Sequence, residues 1–452
     1  PYIRIYSIYD TAVLTAKSNG IRGSAMSKDK KKNKIDRELR LAESAAKDAY
    51  EVIDRKALKE AKRIKTAAKH FRGLQHPAGK APDGKQPRPH LFEPISIRSV
   101  TSRNRIWLPP MDMYSVFARD GKPTSFHYQH YVSRALGGFG TVIAESTAVS
   151  PEGRISPYDT GLWDDEQIGA WSWIADGIRQ AGAVPAIQIN HAGRKGSSGC
   201  SGLGYINASV PAEAGGWETV GATDTPFNEN FAPSRGLSSD EIHQVVGQFR
   251  SAAERARAAG FDMVEIHGAH GYLISQFMDP LINNRTDEYG GSFANRIRFA
   301  VEVADAVREV WPDSLPVVMR LSATDWVEGG WDLYQSVELA KVLKNHGIDM
   351  IDVSTGAIIS GAKIPAKPNY QVPFAQEIRA KADIPVTAVG LITKPKQAEK
   401  ILEQGRADAV EIGRAALRDP YWPLRAAAKL GLDRHDAPYP VQYARGAYGI
   451  TR

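Results

Sequence analysis

The stretch Met263-Val-Glu-Ile-His267-Gly-Ala-His270-Gly-Tyr272 joins a short apolar run to two histidines and a tyrosine. The run has the length of a strand, and its continuous apolar character predicts a strand that is buried on both faces. Two imidazoles and a phenol would then lie together where this strand ends. The stretch therefore predicts a buried strand that carries three polar side chains at one end.

The same pattern of apolar run, polar or glycine end and helix-like stretch recurs from Leu91 onward. Eight runs follow it, at 105–111, 141–145, 184–190, 263–267, 317–322, 350–355, 386–390 and 409–413. Helix-like segments such as 238–259 and 294–310 lie between the runs. Eight such units predict an α/β fold, a (β/α)8 TIM barrel over residues 91–452. The alternative is a doubly wound sheet, whose polar residues would gather at a single strand crossover.

Helix-boundary signals agree with these units. Ser238 and Glu241 have the spacing of a capping box, in which each side chain satisfies a free amide at a helix start. Thr393-Lys-Pro395 predicts a cap residue followed by an early proline. Gly260, Gly347 and Gly405 follow predicted helices, where a glycine often ends the last turn.

Composition limits the class of protein. The chain has 452 residues, of which 42% are hydrophobic and 24% are charged, as in soluble globular proteins. No apolar run is long enough to span a bilayer, and the first residues lack the pattern of a secretory signal. Cys200 is the only cysteine, which excludes intrachain disulfides, thiolate zinc clusters and iron–sulfur centres. These features favour a cytoplasmic protein.

The first ninety residues form a separate, basic and partly helical extension. Residues 1–90 hold 22 Lys or Arg against 10 Asp or Glu, so the excess of positive charge belongs to this part. Apolar residues at steps of three and four predict an amphipathic helix over 35–72, and a Pro/Gly-rich linker follows at 76–89. The helix could dock on the barrel or a second subunit, contact nucleic acid or membrane, or stay poorly ordered; docking is favoured.

A long insertion follows the third predicted strand. Residues 196–235 are rich in Gly, Ser, Asn and Pro, with Trp217 and Phe227 as expected anchors. In a barrel this segment would cover the mouth, and loops of this length are often lids. A packing arm at a subunit interface is the equal alternative.

Polar residues collect at the carboxyl ends of seven of the eight predicted strands, where such barrels place their active sites. The last two strands end in Gly390 and in Gly413-Arg414. Glycines let backbone amides approach an anion, and an arginine adds a cationic fork. These two ends therefore predict a phosphate site, although a tight turn with a surface arginine would look the same.

The chain resembles the Old Yellow Enzyme family of FMN-dependent ene-reductases. The resemblance runs from about Leu91 to the C-terminus and rests on the His267–Tyr272 stretch, on Asn284-Arg-Thr-Asp-Glu-Tyr-Gly-Gly-Ser292 and on a His-Ala-Gly-Arg-Lys string ending at Lys195. The last string and Val441-Gln-Tyr-Ala-Arg445-Gly are most similar to the bacterial, thermophilic-like branch. The resemblance implies FMN contacts at Pro110, Met111, Asp112, Ala144, Gln188, Arg320, Gly390, Gly413 and Arg414.

The types of these residues suit a flavin. A glutamine such as Gln188 offers one donor and one acceptor, as the edge of the pyrimidine ring requires. An arginine such as Arg320 would stabilise the negative charge of the reduced ring. The structural alternative for Arg320 is an ion pair inside the barrel, with Glu145 or Glu265 as its partner.

The resemblance also implies a reaction. NAD(P)H would reduce the flavin, which would pass a hydride to an alkene conjugated to a carbonyl or nitro group. His267 and His270 would hold the activating oxygen, and Tyr272 would donate a proton as general acid. Tyr114 is expected to contact the substrate. Arg445 matches an arginine that enters a neighbouring subunit's site, which predicts a homodimer or larger oligomer.

Asp112 departs from the family pattern, which usually has a cysteine at this position near the flavin. A carboxylate there would disfavour the negative charge of the reduced flavin and lower its potential. It could instead be protonated, or turned toward a cation. We expect a flavin potential and a substrate range that differ from the usual pattern.

Other functions remain open from the sequence. A flavin barrel of this family could instead reduce nitro compounds or dienoyl esters, or carry out an isomerisation. A metal- or Schiff-base-dependent lyase would use Lys195 as nucleophile, although no metal site is predicted. A non-catalytic flavin-binding barrel would bind FMN without turnover.

Overall fold

The computed structural model describes residues 88–200 and 205–449, and its centre is a closed barrel of eight parallel strands. The strands are Ile106–Leu108, Thr141–Ala148, Val184–Asn190, Met263–Gly268, Val317–Ser322, Met350–Ser354, Val386–Ala388 and Ala409–Glu411. Each lies beside the next one in the chain, and the eighth pairs with the first through Val410 and Ile106. This closure confirms the predicted (β/α)8 TIM barrel and rules out the doubly wound sheet, whose edges stay open.

The barrel base is apolar. All residues of the eight strands are buried, and their side chains alternate between the interior and the surrounding helices. The lowest interior layer contains Trp107, Ile143, Ala186, Met263, Val318, Met350 and Ala409. An antiparallel hairpin, Ile95–Ile97 with Val100–Ser102, packs Ile97 against this layer. The interior is therefore filled at its base, and a site can form only at the other end.

Helices surround the barrel and bury the outward-facing strand residues in one large apolar core. Among the described residues they are Ser125–Leu136, Glu166–Gln180, Ser239–Ala258, Leu273–Met278, Phe293–Val310, Leu333–Asn345, Val372–Ala382, Pro395–Glu403, Arg414–Arg418 and Trp422–Lys429. The helices expected within 238–259 and 294–310 are confirmed.

Most of the predicted helix boundaries are confirmed. The Ser238 side chain accepts a hydrogen bond from the Glu241 amide, and the Ser238 amide donates to Glu241 Oε2 at 2.9 Å. Gly260, Gly347 and Gly405 adopt φ values of 92°, 83° and 65° just after their helices.

The expected cap at Thr393 is wrong by one residue. The cap is Lys394, and the helix begins at Pro395. Thr393 is held outside the helix because its carbonyl accepts the Trp422 indole N–H at 3.0 Å.

The insertion after the third strand is folded into short elements where it is described. It contains a 3-10 turn at Ala212–Ala214, and Val220–Gly221 pairs in parallel with Arg235–Gly236. Trp217 donates its indole N–H to the Glu152 carbonyl at 2.9 Å, and the Phe227 ring lies 4.6 Å from Nζ of Lys195, which precedes the insertion. Both expected anchors therefore hold the insertion in place.

The N-terminal extension lies largely outside the described residues, and so do the helix predicted at 35–72 and most of the linker at 76–89. The boundary near residue 90 stays a prediction. In the part of the chain that is described, no helix combines the length and the apolar character needed to cross a membrane.

The capping box gives a stability prediction. Replacing Ser238 by Ala leaves one amide without its partner, so we expect a loss of about 1 kcal/mol. Ser239→Ala, one residue into the same helix, is the matched control and should change stability by less than half as much. Urea unfolding followed by circular dichroism measures both. Equal effects of the two substitutions would contradict the assignment of the cap.

Candidate active site

A layer of polar side chains lies inside the barrel directly above the apolar base. Because strand side chains alternate, the residue two positions after an inward apolar one points inward again. The layer consists of Gln188, Glu265, Arg320, Asp352, Thr387 and Glu411, each from a different strand and all buried.

Contacts among these side chains join the layer into a network. Arg320 Nε lies 2.9 Å from Asp352 Oδ2, and Thr387 donates to Asp352 Oδ1 at 2.7 Å. On the other side, Gln188 Nε2 donates to Glu265 Oε1 at 2.7 Å. A guanidinium is thus held by buried partners near the centre of the barrel.

The layer contains one arginine and three carboxyl groups, those of Glu265, Asp352 and Glu411. One oxygen from each carboxyl lies within 4.8 Å of the other two. Burial, and then the charge of Asp352, raises the pKa of Glu265 to about 8 and the pKa of Glu411 well above its usual range. Arg320 Nη2 is 3.6 Å from Glu411 Oε2. Near neutral pH, Glu265 and Glu411 therefore hold protons, and Asp352 balances Arg320.

A cavity of about 280 Å3 opens above this layer. Its walls include the predicted residues Pro110, Met111, His270, Arg320, Gly390, Gly413 and Arg414. The hydroxyls of Ser354, Thr355 and Thr393 also line it. Two guanidinium groups beside hydroxyls and glycines suit an anionic group joined to a polyhydroxyl chain.

Gly390 shapes one wall of this first cavity. Its φ is 117°, and a Cβ there would lie 3.0 Å from Gln371 Oε1. The position therefore requires glycine both for its conformation and for its space.

The two histidines and the tyrosine meet at the end of the fourth strand. The ring of His267 lies 5.1 Å from that of His270 and 5.0 Å from that of Tyr272, nearly perpendicular to both. The prediction that His267, His270 and Tyr272 lie together at the end of this strand is therefore confirmed.

Both imidazoles are neutral. Burial lowers the pKa of each well below its usual range, and neighbouring positive charges add to this effect. The Ala269 amide donates to His267 Nδ1 at 3.2 Å, so the ring proton of His267 sits on Nε2. His270 Nε2 lies 2.7 Å from Ser354 Oγ. Neutral imidazoles of this kind can donate a hydrogen bond to an oxygen without adding charge.

The backbone around His270 is strained. His270 has a φ of 60°, in the left-handed region that side chains seldom adopt, and its amide donates to Ser322 Oγ at 2.9 Å. Gly271 follows with a φ of 74°, and a Cβ there would lie 2.4 Å from the Ala357 carbonyl. Strain of this kind is typical of functional sites, where the surrounding structure fixes it.

A second cavity, of about 620 Å3, lies over the barrel mouth. Tyr114, Lys195 and Tyr272 line its barrel side. The insertion supplies Asn207, Phe227, Asn228, Asn230 and Phe231 on the opposite side. The insertion therefore covers the mouth, in agreement with its interpretation as a lid.

Lys195 and Arg194 tie the loops of the mouth together. Lys195 Nζ donates to the carbonyls of His270 at 2.8 Å and Ala357 at 3.2 Å, and burial lowers the pKa of this lysine to about 7. The buried Arg194 donates to the carbonyls of Ile358 at 2.7 Å and Pro226 at 3.3 Å. With two carbonyls bound to its Nζ, Lys195 fits a positioning role better than that of a free nucleophile.

Asp112 lies between the two cavities. Met111 before it lines the first cavity, and Tyr114 after it lines the second. Burial raises the pKa of Asp112 to about 6, against the opposing effects of the Ser146 amide, Arg320, Tyr114 and Lys195. The carboxyl thus titrates close to neutral pH.

Glu145 fixes the segment that carries Asp112. Its Oε2 accepts the Met113 amide at 3.0 Å, and its Oε1 accepts the Tyr131 hydroxyl at 2.8 Å. Glu145 was one expected partner of Arg320, and Glu265 was the other. That expectation is wrong as to the direct contacts. Arg320 pairs with Asp352, its register partner on the adjacent strand, and with Glu411 from a strand that is not adjacent.

Four other predicted residues lie elsewhere. Ala144, Gln188 and His267 are buried within the barrel and form no part of either cavity wall described above. Arg445 is on the exposed 3-10 helix Val441–Gly446. The roles of all the predicted site residues stay proposals.

Sequence reasoning missed Asp352 and Glu411. A signal was present, because both occupy the third position of an apolar run, Met-Ile-Asp and Ala-Val-Glu, as Glu265 does in Met-Val-Glu. An acidic residue inside a fully buried strand requires a partner, so three of them predict a shared cation.

Comparisons with known proteins agree with this geometry. Residues 90–433 match the model of the NADH:flavin oxidoreductase / NADH oxidase family. An NADPH dehydrogenase of Bacillus licheniformis is 47% identical over 355 residues, which is 78% of this chain and 98% of the relative. An NADPH dehydrogenase of Geobacillus thermodenitrificans is 44% identical over 356 residues, 79% of this chain and 98% of the relative.

Among solved structures, the chain is similar to the old yellow enzyme homologue from Zymomonas mobilis. The two share 29% identity with a TM-score of 0.64, over 80% of this chain and 100% of that one.

The charge assignment of the polar layer gives a second prediction. Asp352→Asn removes the counter-charge of Arg320, and breaking a buried ion pair in this way costs about 3–5 kcal/mol. Glu265→Gln replaces a protonated acid by an amide of similar shape and should cost less than about 1 kcal/mol. Urea unfolding at pH 7 compares the two. Equal destabilisation would contradict the proposed protonation states.

Proposed function

The chain belongs to the NADH:flavin oxidoreductase / NADH oxidase family, and from this premise we propose that it reduces alkenes conjugated to a carbonyl or nitro group. It is an NAD(P)H-dependent oxidoreductase of the Old Yellow Enzyme type with FMN as cofactor. We take NADPH as its reductant, in line with the names of its relatives. The observation that carries the proposal is the meeting of His267, His270 and Tyr272 at the end of the fourth strand, with His270 in the wall of the first cavity and Tyr272 in the wall of the second.

The residues of the first cavity fit FMN. Arg414 and the glycines at 390 and 413 would hold the phosphate, and the hydroxyls beside them would hold the ribityl chain. Arg320 reaches the cavity from the polar layer, where its positive charge is already balanced. Pro110, Met111, Ala144 and Gln188 would complete the contacts, as the resemblance implies.

When bound, FMN would supply hydride transfer from NADPH to the β-carbon of the alkene. His267 and His270 orient the substrate by donating hydrogen bonds to its carbonyl or nitro oxygen. Both rings stay neutral because burial lowers the pKa of each. They can therefore stabilise negative charge that develops on this oxygen without binding an extra proton.

Tyr272 would donate the proton that the α-carbon needs. Burial and nearby carboxylates raise the pKa of its phenol well above the usual range, so the hydroxyl keeps its proton until the substrate requires it. The Lys195 ammonium lies 4.9 Å from the Tyr272 ring and would stabilise the phenolate left behind. Tyr114 would contact the substrate from the same cavity.

The second cavity would hold the substrate beside Tyr272 and Tyr114. Phe227 and Phe231 of the insertion face the barrel mouth, and Arg194 and Lys195 fix the loops beneath them. A cavity of about 620 Å3 would admit a cyclic enone or a small aromatic nitroalkene.

We also propose a homodimer. Arg445 is exposed, and the large side chains of Val441, Tyr443 and Tyr448 beside it are 48%, 41% and 52% exposed. A second copy would cover these side chains and receive Arg445 in its own substrate cavity.

The two half-reactions test this function directly. Anaerobic addition of NADPH should bleach the flavin absorbance, and 2-cyclohexenone should then restore it. Bound FMN that bleaches but is not restored by any enone or nitroalkene would contradict alkene reduction.

Tyr272→Phe isolates the proton transfer. Its reoxidation by cyclohexenone should slow by at least about 100-fold, the usual contribution of a general acid. Its reduction by NADPH should stay within about threefold of the wild-type rate, since that step needs no phenol proton. Unchanged reoxidation would remove Tyr272 from the mechanism.

Asp112 gives a prediction about the flavin potential. Above about pH 6 its carboxyl is charged and opposes the negative charge of the reduced ring. Asp112→Asn and Asp112→Cys should therefore raise the midpoint potential of the flavin at pH 8 by about 30 mV or more. For a two-electron couple, about 30 mV corresponds to a tenfold change in the equilibrium constant. For Asp112→Asn the difference should shrink below pH 6, where the wild-type carboxyl is neutral. Equal potentials at pH 8 would overturn this role.

A further inference from the structure

Glu411 is a buried acid that faces the first cavity. Its side chain is 1% exposed, and it lines the cavity together with Arg320 and Arg414. Among the described residues, no N–H or hydroxyl group donates to either of its carboxyl oxygens, and its one hydrogen-bonding neighbour is the carboxyl of Asp352. A buried polar group with unused hydrogen-bonding capacity is costly, so such a group in a cavity wall indicates a ligand contact.

The position follows from the strand register. Ala409 points into the apolar base, and Glu411, two residues later, points into the polar layer. Gly413, two residues after Glu411, lies at the rim of the cavity. Glu411 therefore forms the floor directly beneath the glycine and Arg414 that would hold the FMN phosphate.

The charged groups that face Glu411 come from the fourth, fifth and sixth strands of the barrel, none of which pairs with the strand of Glu411. They are Asp352, Arg320 and Glu265. Arg320 Nε lies 2.9 Å from Asp352 Oδ2, whereas Arg320 Nη2 lies 3.6 Å from Glu411 Oε2. Because the one arginine of the layer already pairs with Asp352, burial and the negative charge of Asp352 raise the pKa of Glu411 and keep it protonated.

A protonated carboxyl is a hydrogen-bond donor, and this one faces only the cavity and the other acids. The oxygens of FMN that could accept from it are the ribityl hydroxyls and the ring carbonyls. The family pattern found in the sequence assigns no contact to this strand position, since its matching residues begin at Gly413.

We propose that Glu411 is a cofactor-contacting residue that donates a hydrogen bond from its neutral carboxyl to an oxygen of bound FMN. The proposal rests on FMN as cofactor and is independent of alkene reduction. Glu411 thereby couples the affinity for FMN to its own protonation. Deprotonation would remove the donor and place a second negative charge beside Asp352.

A divalent cation is the competing explanation for three acids within 4.8 Å of one another. The Arg320 guanidinium already supplies a positive charge to this cluster. Two protonated acids and one ion pair leave the layer neutral, which is the least costly state for buried charges.

The test measures FMN affinity rather than turnover. Holoprotein is diluted in steps, and the fluorescence of released FMN gives Kd for the wild type, Glu411→Leu and Glu411→Gln. Glu411→Leu removes the hydrogen bond while keeping bulk, so Kd should rise about tenfold or more. Glu411→Gln retains a donor, and its Kd should stay within about threefold of the wild type at pH 7.

Thr387→Val is the matched control, because Thr387 contacts Asp352 in the same layer and lies outside the described lining of the cavity. Its Kd for FMN should stay within about threefold of the wild type, whatever its stability. A loss of affinity in Thr387→Val as large as in Glu411→Leu would assign the effect to the layer as a whole and overturn the contact.

The pH dependence of the Kd for FMN provides an independent test if Glu411→Leu fails to fold. Wild-type affinity should weaken as alkaline pH removes the Glu411 proton, and the profile of Glu411→Gln should lack this component. Coincident profiles, or wild-type affinity in a folded Glu411→Leu, would overturn the proposal and leave the function untouched. Wild-type protein that binds no FMN at all would instead contradict the family-based function.

Discussion

The ion pair between Arg320 and Asp352 is the contact on which the rest of the site depends. A guanidinium is seldom buried without a partner, and here Asp352 is held in turn by Thr387 from the next strand. Because the base of the barrel is filled by apolar side chains, the arginine can extend only toward the mouth. The pair thus places a fixed positive charge under the cavity without leaving a net charge inside the barrel.

The mouth is built on this layer by the same alternation of side chains. His267 lies two residues after Glu265, and Ser354 lies two after Asp352 and reaches His270. The loops add what strands alone cannot: left-handed conformations at His270 and Tyr114, with φ values of 60° and 50°, turn two site residues toward their cavities. The insertion then encloses the second cavity. The barrel, two loops with left-handed residues and the insertion together position the groups that we propose to react.

Much of this could be predicted from the sequence because parallel strands have a simple pattern. The eight buried runs, the capping box at Ser238 and the grouping of His267, His270 and Tyr272 follow from local spacing, which strand and helix geometry fixes. The partners of Arg320 do not, because the sequence leaves open which strand faces which across a closed barrel. The register of adjacent strands pairs Arg320 with Asp352, and closure of the barrel brings Glu411 to it from a strand that is not adjacent. Glu145 instead accepts the Met113 amide.

The contacts made by the loops also could not be predicted from the local sequence. Lys195 looked like a nucleophile in the sequence, but the fold places its Nζ between the carbonyls of His270 and Ala357. Those carbonyls come from other units of the barrel, so only the closed structure brings them together. Thr393 was displaced from its expected cap in the same way, by a contact from a distant tryptophan.

In the proposed reaction, His267, His270 and Tyr272 would hold the substrate, and bound FMN would supply the transfer of a hydride from NADPH to its β-carbon. Isotope labelling follows that hydride most directly. With NADPH deuterated at the reactive C4 position and cyclohexenone in ordinary water, mass spectrometry and NMR of the product should find deuterium at the β-carbon and hydrogen at the α-carbon. Deuterium in the wrong position, or a saturated product that takes both of its new hydrogens from water, would contradict this account.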